Sequence, residues 1–331
     1  MSLLWVLSRL GFLSAMMGRF GQRTTSFSQF QCLRFVRSQV FDAGSSIPRL
    51  GGWGVRASYS SLAREQNHGR SVIVTGSGRG IGKGIALRLA ADGYNVCVND
   101  IGTNKASCDE VVREIQGMGR KACTAIADVT KRDQVKQMIQ TSVENLGPLN
   151  TLIANAGVVQ VKPVLELTEK DFESVFAVNV FGVHNCLAEA ASQMIRQGNC
   201  QPDSPGKLIA AASIVAFRPF LHLPAYSVSK WAVRGLAQVY AMELAKHHIT
   251  VNSYAPGIIG TAMWEKIDAG IGGMTGMAKG EVMNNMVMGD TVLKKTGNAN
   301  DVARLVSFLA SSDSNYVTGQ TQIVDGGSVF T

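Results

Sequence analysis

The stretch S-V-I-V-T-G-S-G-R-G-I-G, Ser71–Gly82, carries the strongest fold signal in the chain. Its first four residues form a continuous apolar run, which is typical of a parallel strand buried on both faces. A helical run begins directly afterwards at Lys83. A glycine-rich run on its own is often only a turn, but between a strand and a helix it lets the backbone approach a phosphate group closely. The stretch therefore predicts a strand, a tight turn and a helix N-terminus that binds a pyrophosphate.

Strand and helix patterns alternate through the rest of the chain. The apolar spacing predicts further strands at 95–99, 122–127, 149–154, 208–212, 250–255 and 321–324, and helices at 107–118, 132–146, 172–195, 225–245 and 301–310. This alternation predicts one α/β domain over 69–331, a Rossmann-type, doubly wound, parallel seven-stranded sheet with helices on both faces. The segment 256–299 is rich in Gly and Met with little regular pattern, which indicates a substrate-binding loop region. An oligomer interface or a packing element is the alternative for this segment.

Residues 1–68 differ in composition from the rest of the chain. They contain eight Arg, no Lys and two acidic residues, a net charge of +6, so the total of +8 leaves about +2 for the other 263 residues. This distribution argues against nucleic acid binding by the fold. The apolar start, interrupted by Arg9 and Arg19, resembles a mitochondrial transit peptide more than a secretory signal. The alternatives are a disordered tail or a misassigned start codon. In either case the segment is not a targeting signal, and the alternative location is the cytoplasm.

The composition excludes several classes of protein. No uninterrupted apolar run reaches the ~18 residues of a membrane-spanning helix. The six cysteines are scattered, without a C-x-x-C pair or a cluster of histidines at metal-ligand spacing. We therefore expect reduced thiols, no disulfide framework and no metal site.

Tyr226 and Lys230 are four residues apart in a run with helical apolar spacing. On a helix they share one face, and a nearby cation would lower the pKa of the phenol toward the working range of an acid–base catalyst. Ser213 follows an apolar run that predicts a buried strand, so its hydroxyl is placed to bind a carbonyl oxygen. The alternative is a half-buried tyrosine beside a solvated lysine, and the Y-x-x-x-K pattern alone does not exclude it.

Polar or small residues follow the other strands, where ligands bind in open α/β sheets. Asp100 ends the second strand and would accept hydrogen bonds from the ribose hydroxyls of an adenosine, which favours NAD(H) over NADP(H). The positive charges of Arg79 and Lys105 would weaken that preference. The alternative role of Asp100 is that of a helix N-cap or a turn residue. Asn179 lies in an apolar helical run, where a buried amide needs partners, either structural or a bound water.

In combination these motifs resemble the short-chain dehydrogenase/reductase family, in its single-domain branch. The resemblance covers about 71–331 and rests on T-G-x-x-x-G-x-G at 75–82, Asp128, N-A-G at 155–157, Asn179, Ser213, Tyr226, Lys230, Pro256-Gly257 and the terminal Asp325-Gly-Gly. Within the family the C-terminal part looks closest to acetoin/diacetyl reductases, also called 2,3-butanediol dehydrogenases. A homotetramer or a dimer is implied by the resemblance only.

The resemblance implies a role for each matching residue. Tyr226 would be the general acid/base, Lys230 would bind the nicotinamide ribose, and Ser213 would orient the substrate oxygen. Asn179 would hold a water of the proton relay, and Ile259 and Thr261 would contact the carboxamide. The implied cofactor contacts are Gly76, Ser77, Gly78, Arg79, Gly80, Ile81, Gly82, Asp100, Ile101, Asp128, Val129, Asn155, Ala156, Gly157, Tyr226, Lys230, Pro256, Gly257, Ile259 and Thr261.

Two departures from acetoin reductases bear on the substrate. Those enzymes usually carry polar residues where this chain has Ile214 and Phe220, so the pocket loses groups that would hold a vicinal oxygen. With Trp264 beside them, these residues predict a secondary alcohol or ketone more apolar than acetoin. The alternatives are a small-diketone reductase, a 3-oxoacyl-thioester reductase and a cofactor-binding scaffold without chemistry.

Overall fold

The computed structural model describes residues 67–331, and these residues form one parallel sheet between two layers of helices. The strands are β1 (Ser71–Val74), β2 (Asn95–Asp100), β3 (Ala122–Ile126), β4 (Leu149–Ala154), β5 (Gly206–Ala211), β6 (Ile249–Pro256) and β7 (Thr321–Val324). The helices are α1 (Gly80–Ala91), α2 (Lys105–Gly117), α3 (Arg132–Leu146), α4 (Glu169–Phe176), α5 (Val183–Gln197), α6 (Pro224–Leu244), α7 (Ala262–Thr275), α8 (Glu281–Asp290) and α9 (Ala299–Ala310). Residues 1–66 of the predicted transit peptide lie outside the described residues.

The strand order is β3-β2-β1-β4-β5-β6-β7, and every neighbouring pair is parallel. From β1, the third strand in this order, the described chain runs to one edge through β2 and β3 and then crosses back to β4 beside β1. The connections after β1 and β4 therefore leave the sheet in opposite directions. Open α/β sheets bind ligands at this reversal. The predicted doubly wound, seven-stranded fold in a single domain is confirmed.

The two faces of the sheet support separate apolar cores. Successive side chains of a strand point to opposite faces, so Val72 packs with Leu89 of α1 on one face. Ile73 packs with Leu187 of α5 on the other face. Because both faces are covered, all four residues of β1 are buried, which explains the continuous apolar run in the sequence.

The helix predicted over 172–195 is interrupted in the structure. α4 ends at Phe176, a π-helical turn covers Ala177–Gly182, and α5 begins at Val183. The turn contains Asn179, whose side chain is fully buried and bonded to other parts of the chain. Single π-turns are frequent at functional sites because they redirect a side chain inside a helix. The apolar spacing on both sides gave no sign of the interruption.

The segment 256–299 is not a loop without regular structure, because it contains α7 and α8. Its glycines are poor helix formers, which made the pattern weak. Tertiary packing supports the helix instead: a Cβ at Gly270 would lie 2.9 Å from the side chain of Val161. This close approach requires a glycine at position 270. α7 is therefore a helix although its glycines have low helix propensity.

Within residues 67–331 no helix is both long and apolar enough to cross a membrane. The cysteines of this range are free thiols: Cys97, Cys108, Cys123, Cys186 and Cys200. The same range contains no group of three or more His, Cys, Asp or Glu side chains placed to hold a metal ion.

Candidate active site

A cavity of about 840 Å³ lies at the carboxyl ends of the strands. Most of the residues predicted from the sequence line it: Gly76, Arg79, Gly80, Ile81, Gly82, Asp100, Ile101, Asp128, Val129, Asn155, Ala156, Gly157, Ser213, Ile214, Phe220, Tyr226, Lys230, Pro256, Gly257, Ile259, Thr261 and Trp264. Three further predicted residues, Ser77, Gly78 and Asn179, are buried and do not line the cavity. The fold thus brings residues that are more than a hundred positions apart in the chain around one cavity.

The glycine-rich turn forms one end of the cavity. Gly76 and Gly80 have φ of +63° and +58°, a region that side chains with a Cβ rarely adopt. A Cβ at Gly82 would overlap the Gly76 carbonyl oxygen and lie 2.6 Å from the Asn155 amide nitrogen. Among the described residues, no side chain caps the start of α1 and no acid lies in its first turn. The free N–H groups and the positive end of the helix dipole fit a pyrophosphate.

Hydrogen bonds from the end of β4 hold this turn in place. Asn155 Nδ2 donates to the carbonyl oxygens of Thr75 and Gly76, at 2.9 and 3.2 Å. The Thr75 hydroxyl accepts from the backbone N–H groups of Asn155 and Ala156, both at 3.0 Å. The Asn155 amide is thus engaged with the turn itself, and the contact with the cofactor that the resemblance implies for Asn155 stays a prediction.

Asp100 lies at the end of β2, beside the glycine-rich turn. One carboxylate oxygen accepts from Gly78 N at 3.3 Å. The other accepts from Ile101 N and from the Asn104 side chain, both at 2.9 Å. Asp100 therefore organises two loops and also lines the cavity. The two roles considered from the sequence, a turn acid and a ligand for ribose, are compatible in this geometry.

The loops after β3 and β6 complete the cofactor end. Asp128 accepts from Thr130 N at 2.9 Å, and the Val129 carbonyl accepts from the Asn185 side chain at 3.0 Å. A Cβ at Gly257 would lie 2.6 Å from Asp325 Cβ, so glycine is required where this loop passes the end of β7. Thr261 precedes α7, and its hydroxyl donates to the Ile259 carbonyl at 3.3 Å.

Tyr226 and Lys230 lie in the first turns of α6 and face the same cavity. The Lys230 ammonium donates to the Ala211 carbonyl at 2.7 Å, at the end of β5, and lies 5.6 Å from the centre of the Tyr226 ring. Ser213 follows β5, and its hydroxyl accepts from Val215 N at 3.3 Å. The predicted helix face and strand end therefore meet as expected from the sequence.

Burial controls the protonation of this pair. It raises the pKa of Tyr226 to about 12, and the nearby Ser213 hydroxyl opposes only part of that rise. Burial also lowers the pKa of Lys230 to about 8. The expectation that Lys230 brings the phenol pKa toward neutrality is therefore wrong for the protein alone. Burial disfavours the charged phenolate, and the Lys230 ammonium is itself buried and bonded to the Ala211 carbonyl. At neutral pH the Tyr226 phenol is protonated and is a proton donor.

Asn179 connects the π-turn to the loop after β4 and to α6. Its Oδ1 accepts from Val158 N at 2.8 Å, and its Nδ2 donates to the Val158 carbonyl and to the Ser229 hydroxyl, both at 3.0 Å. Ser229 in turn donates to the Tyr226 carbonyl at 2.7 Å. The structural role considered from the sequence is thus present in the geometry. The water of a proton relay stays a prediction.

The end of the cavity opposite Asp100 is apolar. Tyr226 packs with Val159, Val215, Leu223, Ile258, Trp264, Ile267 and Val287, and Phe220, Met263, Met283 and Met286 pack against that cluster. Ile214 is buried and lines the same cavity. The Met263 sulfur lies 3.9 Å from the Tyr226 hydroxyl. An apolar group would therefore be accommodated next to the proposed proton donor.

Several residues that hold the site together have contacts that the sequence did not predict. Thr75 and Ser229 act through the contacts described above. Ser77 was implied as a cofactor contact, but its bond to the Val74 carbonyl at 2.6 Å inside the glycine-rich turn was not expected. Tyr254 in β6 donates to Asn155 Oδ1 at 2.8 Å. An aromatic residue in an apolar strand looks like ordinary core, so the one available signal was a hydroxyl that would need a buried partner.

Comparison with known proteins places this geometry among nicotinamide-dependent enzymes. Residues 70–272 match the family model described as short chain dehydrogenase. The chain is 43% identical over 258 residues to L-2,3-butanediol dehydrogenase of Corynebacterium glutamicum, covering 78% of this chain and 98% of that relative. It is 39% identical over 261 residues to an (S)-acetoin-forming diacetyl reductase of Staphylococcus epidermidis, covering 79% and 99%.

A solved structure extends the comparison to a bound cofactor. The fold is similar, with a TM-score of 0.69 and 31% identity, to a blue fluorescent protein from a metagenomic library in complex with NADPH. The match covers 80% of this chain and 100% of that one. A chain with this fold thus binds a nicotinamide cofactor in that solved structure.

Proposed function

Since the chain belongs to the short-chain dehydrogenase family of nicotinamide-dependent oxidoreductases, we propose that it interconverts a secondary alcohol and a ketone with NAD(H) as cofactor. The observation that carries the proposal is the convergence of Ser213, Tyr226 and Lys230 on the cavity that begins at the glycine-rich turn. The turn supports pyrophosphate binding, and the three side chains support acid–base chemistry at an oxygen atom beside it.

The bound nicotinamide supplies the hydride for ketone reduction and accepts it in alcohol oxidation. In reduction, the protonated Tyr226 hydroxyl donates its proton to the ketone oxygen while Ser213 orients that oxygen. Lys230 would bind the nicotinamide ribose, and its hydrogen bond to the Ala211 carbonyl fixes its position. In oxidation Tyr226 must first lose its proton, and because its pKa is raised, we expect oxidation to be faster at alkaline pH.

The position of Asp100 supports a preference for NAD(H). Its carboxylate lines the cavity and would repel a 2′-phosphate, while its oxygens are placed to accept from ribose hydroxyls. Lys105, which would weaken this preference, lies 2.5 Å from Asp109 and is engaged there. Arg79 lines the cavity as well and is the residue that would favour NADP(H).

The apolar wall supports a substrate more apolar than acetoin. Ile214, Phe220 and Trp264 offer no hydrogen bond to a second carbonyl oxygen except through the indole N–H of Trp264. The names of the two relatives favour a second candidate, a small diketone such as diacetyl or its reduced forms. The two candidates differ in what the apolar wall contributes to binding, so they predict different substrate preferences.

A cofactor and substrate panel on the full chain tests these proposals. Oxidation of NADH and of NADPH is followed by absorbance with small diketones and with larger apolar ketones. Faster turnover with NADH and the larger ketones supports both the Asp100 and the Ile214/Phe220 arguments. Fast reduction of diacetyl with slow reduction of larger ketones would favour the second candidate. Binding of NADH without turnover of any ketone would contradict the enzymatic proposal.

We also propose that residues 1–68 direct the protein to mitochondria. The proposal is supported by the basic composition of this segment, which contains eight Arg, no Lys and only two acidic residues. Fusion of 1–68 to a fluorescent protein should give mitochondrial fluorescence, and the same fusion with Arg9 and Arg19 replaced by Glu should not. Diffuse fluorescence from the unchanged segment would contradict the proposal.

A further inference from the structure

Tyr254, which was not among the predicted site residues, contacts both the strand end next to Ser213 and the amide that holds the glycine-rich turn. It lies in β6 opposite Ala211 of β5, and its backbone carbonyl accepts from Ala212 N at 2.8 Å, next to Ser213. Its side chain is fully buried and lines the cavity. Its hydroxyl donates to Asn155 Oδ1 at 2.8 Å. One residue is therefore bonded both to the strand end that carries Ser213 and to the amide that holds the glycine-rich turn.

The bonds of Asn155 define which way its amide points. Nδ2 faces the carbonyl oxygens of Thr75 and Gly76, which accept hydrogen bonds and cannot donate them. The amide nitrogen must occupy that position, so Oδ1 points toward Tyr254. A buried carbonyl oxygen needs a donor, and the Tyr254 hydroxyl is the side-chain donor that meets it. Without that hydroxyl the amide keeps its two bonds to the turn but loses the third contact that opposes its rotation.

The Tyr254 hydroxyl is a hydrogen-bond donor at neutral and alkaline pH. Burial raises the pKa of Tyr254 far above its usual range, so the hydroxyl keeps its proton. The packing leaves no room for a change at the turn, since a Cβ at Gly82 would already lie 2.6 Å from the Asn155 amide nitrogen. Rotation of that amide would therefore disturb the backbone from Thr75 to Gly82.

We propose that Tyr254 is a positioning residue for the cofactor: its hydroxyl fixes the Asn155 amide and, through it, the shape of the glycine-rich turn. The inference rests on the proposed function only in that a nicotinamide cofactor binds at this turn. Tyr254 itself takes no part in proton transfer. It acts on cofactor affinity and on the order of the turn.

The test compares Tyr254→Phe with a matched control. Tyr94 is also fully buried, and its hydroxyl donates to the Ala310 carbonyl at 2.6 Å, away from the cavity. Tyr94→Phe therefore removes an equally buried hydroxyl without touching the turn. For Tyr254→Phe we expect the Kd for NADH to rise about 5- to 20-fold, equally at neutral and alkaline pH, because a buried acceptor is left without its donor. For Tyr94→Phe we expect an unchanged Kd.

Amide hydrogen exchange of the full-length protein provides the second measurement. The peptide covering Thr75–Gly82 should exchange faster in Tyr254→Phe and at the wild-type rate in Tyr94→Phe. An unchanged Kd in Tyr254→Phe would overturn the inference, and so would a raised Kd with unchanged exchange in this peptide. The proposed function fails separately, if the wild-type protein does not bind NADH or if it binds NADH and turns over no ketone.

Discussion

For single residues of the candidate active site, burial of the side chain decides the direction in which its pKa shifts. Tyr226 and Lys230 share a helix face, as their spacing predicted, but the direction of the tyrosine pKa shift depends on burial, which spacing does not report. Ser213, Tyr226 and Lys230 were predictable because each lies in a recognisable local pattern. The hydrogen bonds of Thr75 and Tyr254 were not predictable, since their partners are 80 and 99 positions away in the chain.

The first prediction concerns the proton donor. Tyr226→Phe removes the hydroxyl that would protonate the ketone, so turnover should fall by about a thousandfold while NADH binding is kept. Steady-state rates and a fluorescence titration with NADH measure the two quantities. Tyr240→Phe is the control, because Tyr240 lies on the same helix and its hydroxyl bonds to His184, outside the cavity. Substantial turnover by Tyr226→Phe would remove Tyr226 from its assigned role.

The second prediction concerns a buried lysine outside the cavity. Lys207 in β5 is 1% exposed, its ammonium donates to the Ser314 hydroxyl at 3.0 Å, and burial lowers its pKa to about 8 from 10.5. Between these two values the unfolded chain binds more protons than the folded protein, so the contribution of Lys207 to the free energy of unfolding rises with pH. Below that window the buried charge is a constant destabilising contribution.

Lys207→Met should therefore raise the free energy of unfolding by about 1–2 kcal/mol near neutral pH and remove part of its rise toward alkaline pH. Denaturant unfolding at several pH values measures both effects. Lys246→Met, at an exposed position, is the control and should change neither. If Lys207→Met unfolds more easily at neutral pH, the bond to Ser314 matters more than the buried charge.

At the scale of the helix and the strand, prediction succeeded where the local pattern and the packing agree. The helix 132–146 and the strands 149–154 and 321–324 agree with the structure to the residue. The π-turn in 177–182 and the helices in 262–290 were missed for opposite reasons. The π-turn keeps a helical apolar pattern, whereas α7 contains glycines that only its neighbours make compatible with a helix.

The third prediction tests the glycine-rich turn as an element. Gly82→Ala would place a methyl group against the backbone of Gly76 and the amide of Asn155. We expect NADH binding to weaken by more than about tenfold and the free energy of unfolding to fall by about 2 kcal/mol. Calorimetric titration and thermal unfolding measure these effects. Gly117→Ala, at the end of α2 with open space around it, should bind NADH normally and be slightly stabilised. Normal NADH binding by Gly82→Ala would contradict the assignment of the glycine-rich turn as the pyrophosphate site.

At the scale of the whole molecule, a stripe of apolar side chains on α6 is exposed. Val228, Trp231, Val239 and Met242 are 52%, 47%, 53% and 81% exposed, and their spacing places them on one face of the helix. The same helix carries Tyr226 and Lys230 on its buried side. A continuous apolar stripe is typical of an interface, and the family resemblance implies a homotetramer. We propose that a second copy of the chain covers this face.

The fourth prediction follows from that stripe. Trp231→Glu would place a charge in the proposed interface, so the mass measured by light scattering should fall from a multimer to a smaller species. Lys121→Glu introduces the same carboxylate at an exposed position before β3, outside α6, and should leave the mass unchanged. A monomeric wild-type protein would contradict the proposal directly, and a full-size Trp231→Glu multimer would place the interface elsewhere.

The division of the cavity between two parts of the chain has a consequence for its evolution and for its engineering. The cofactor end is built from strand ends and tight turns, whereas much of the apolar end lies on α7, on α8 and on the connection before α6. Sequence drift in those helices can therefore alter which molecule is accepted while the machinery of hydride transfer stays intact. A mutant library confined to 262–290 would change the substrate specificity while leaving the cofactor end of the cavity unchanged.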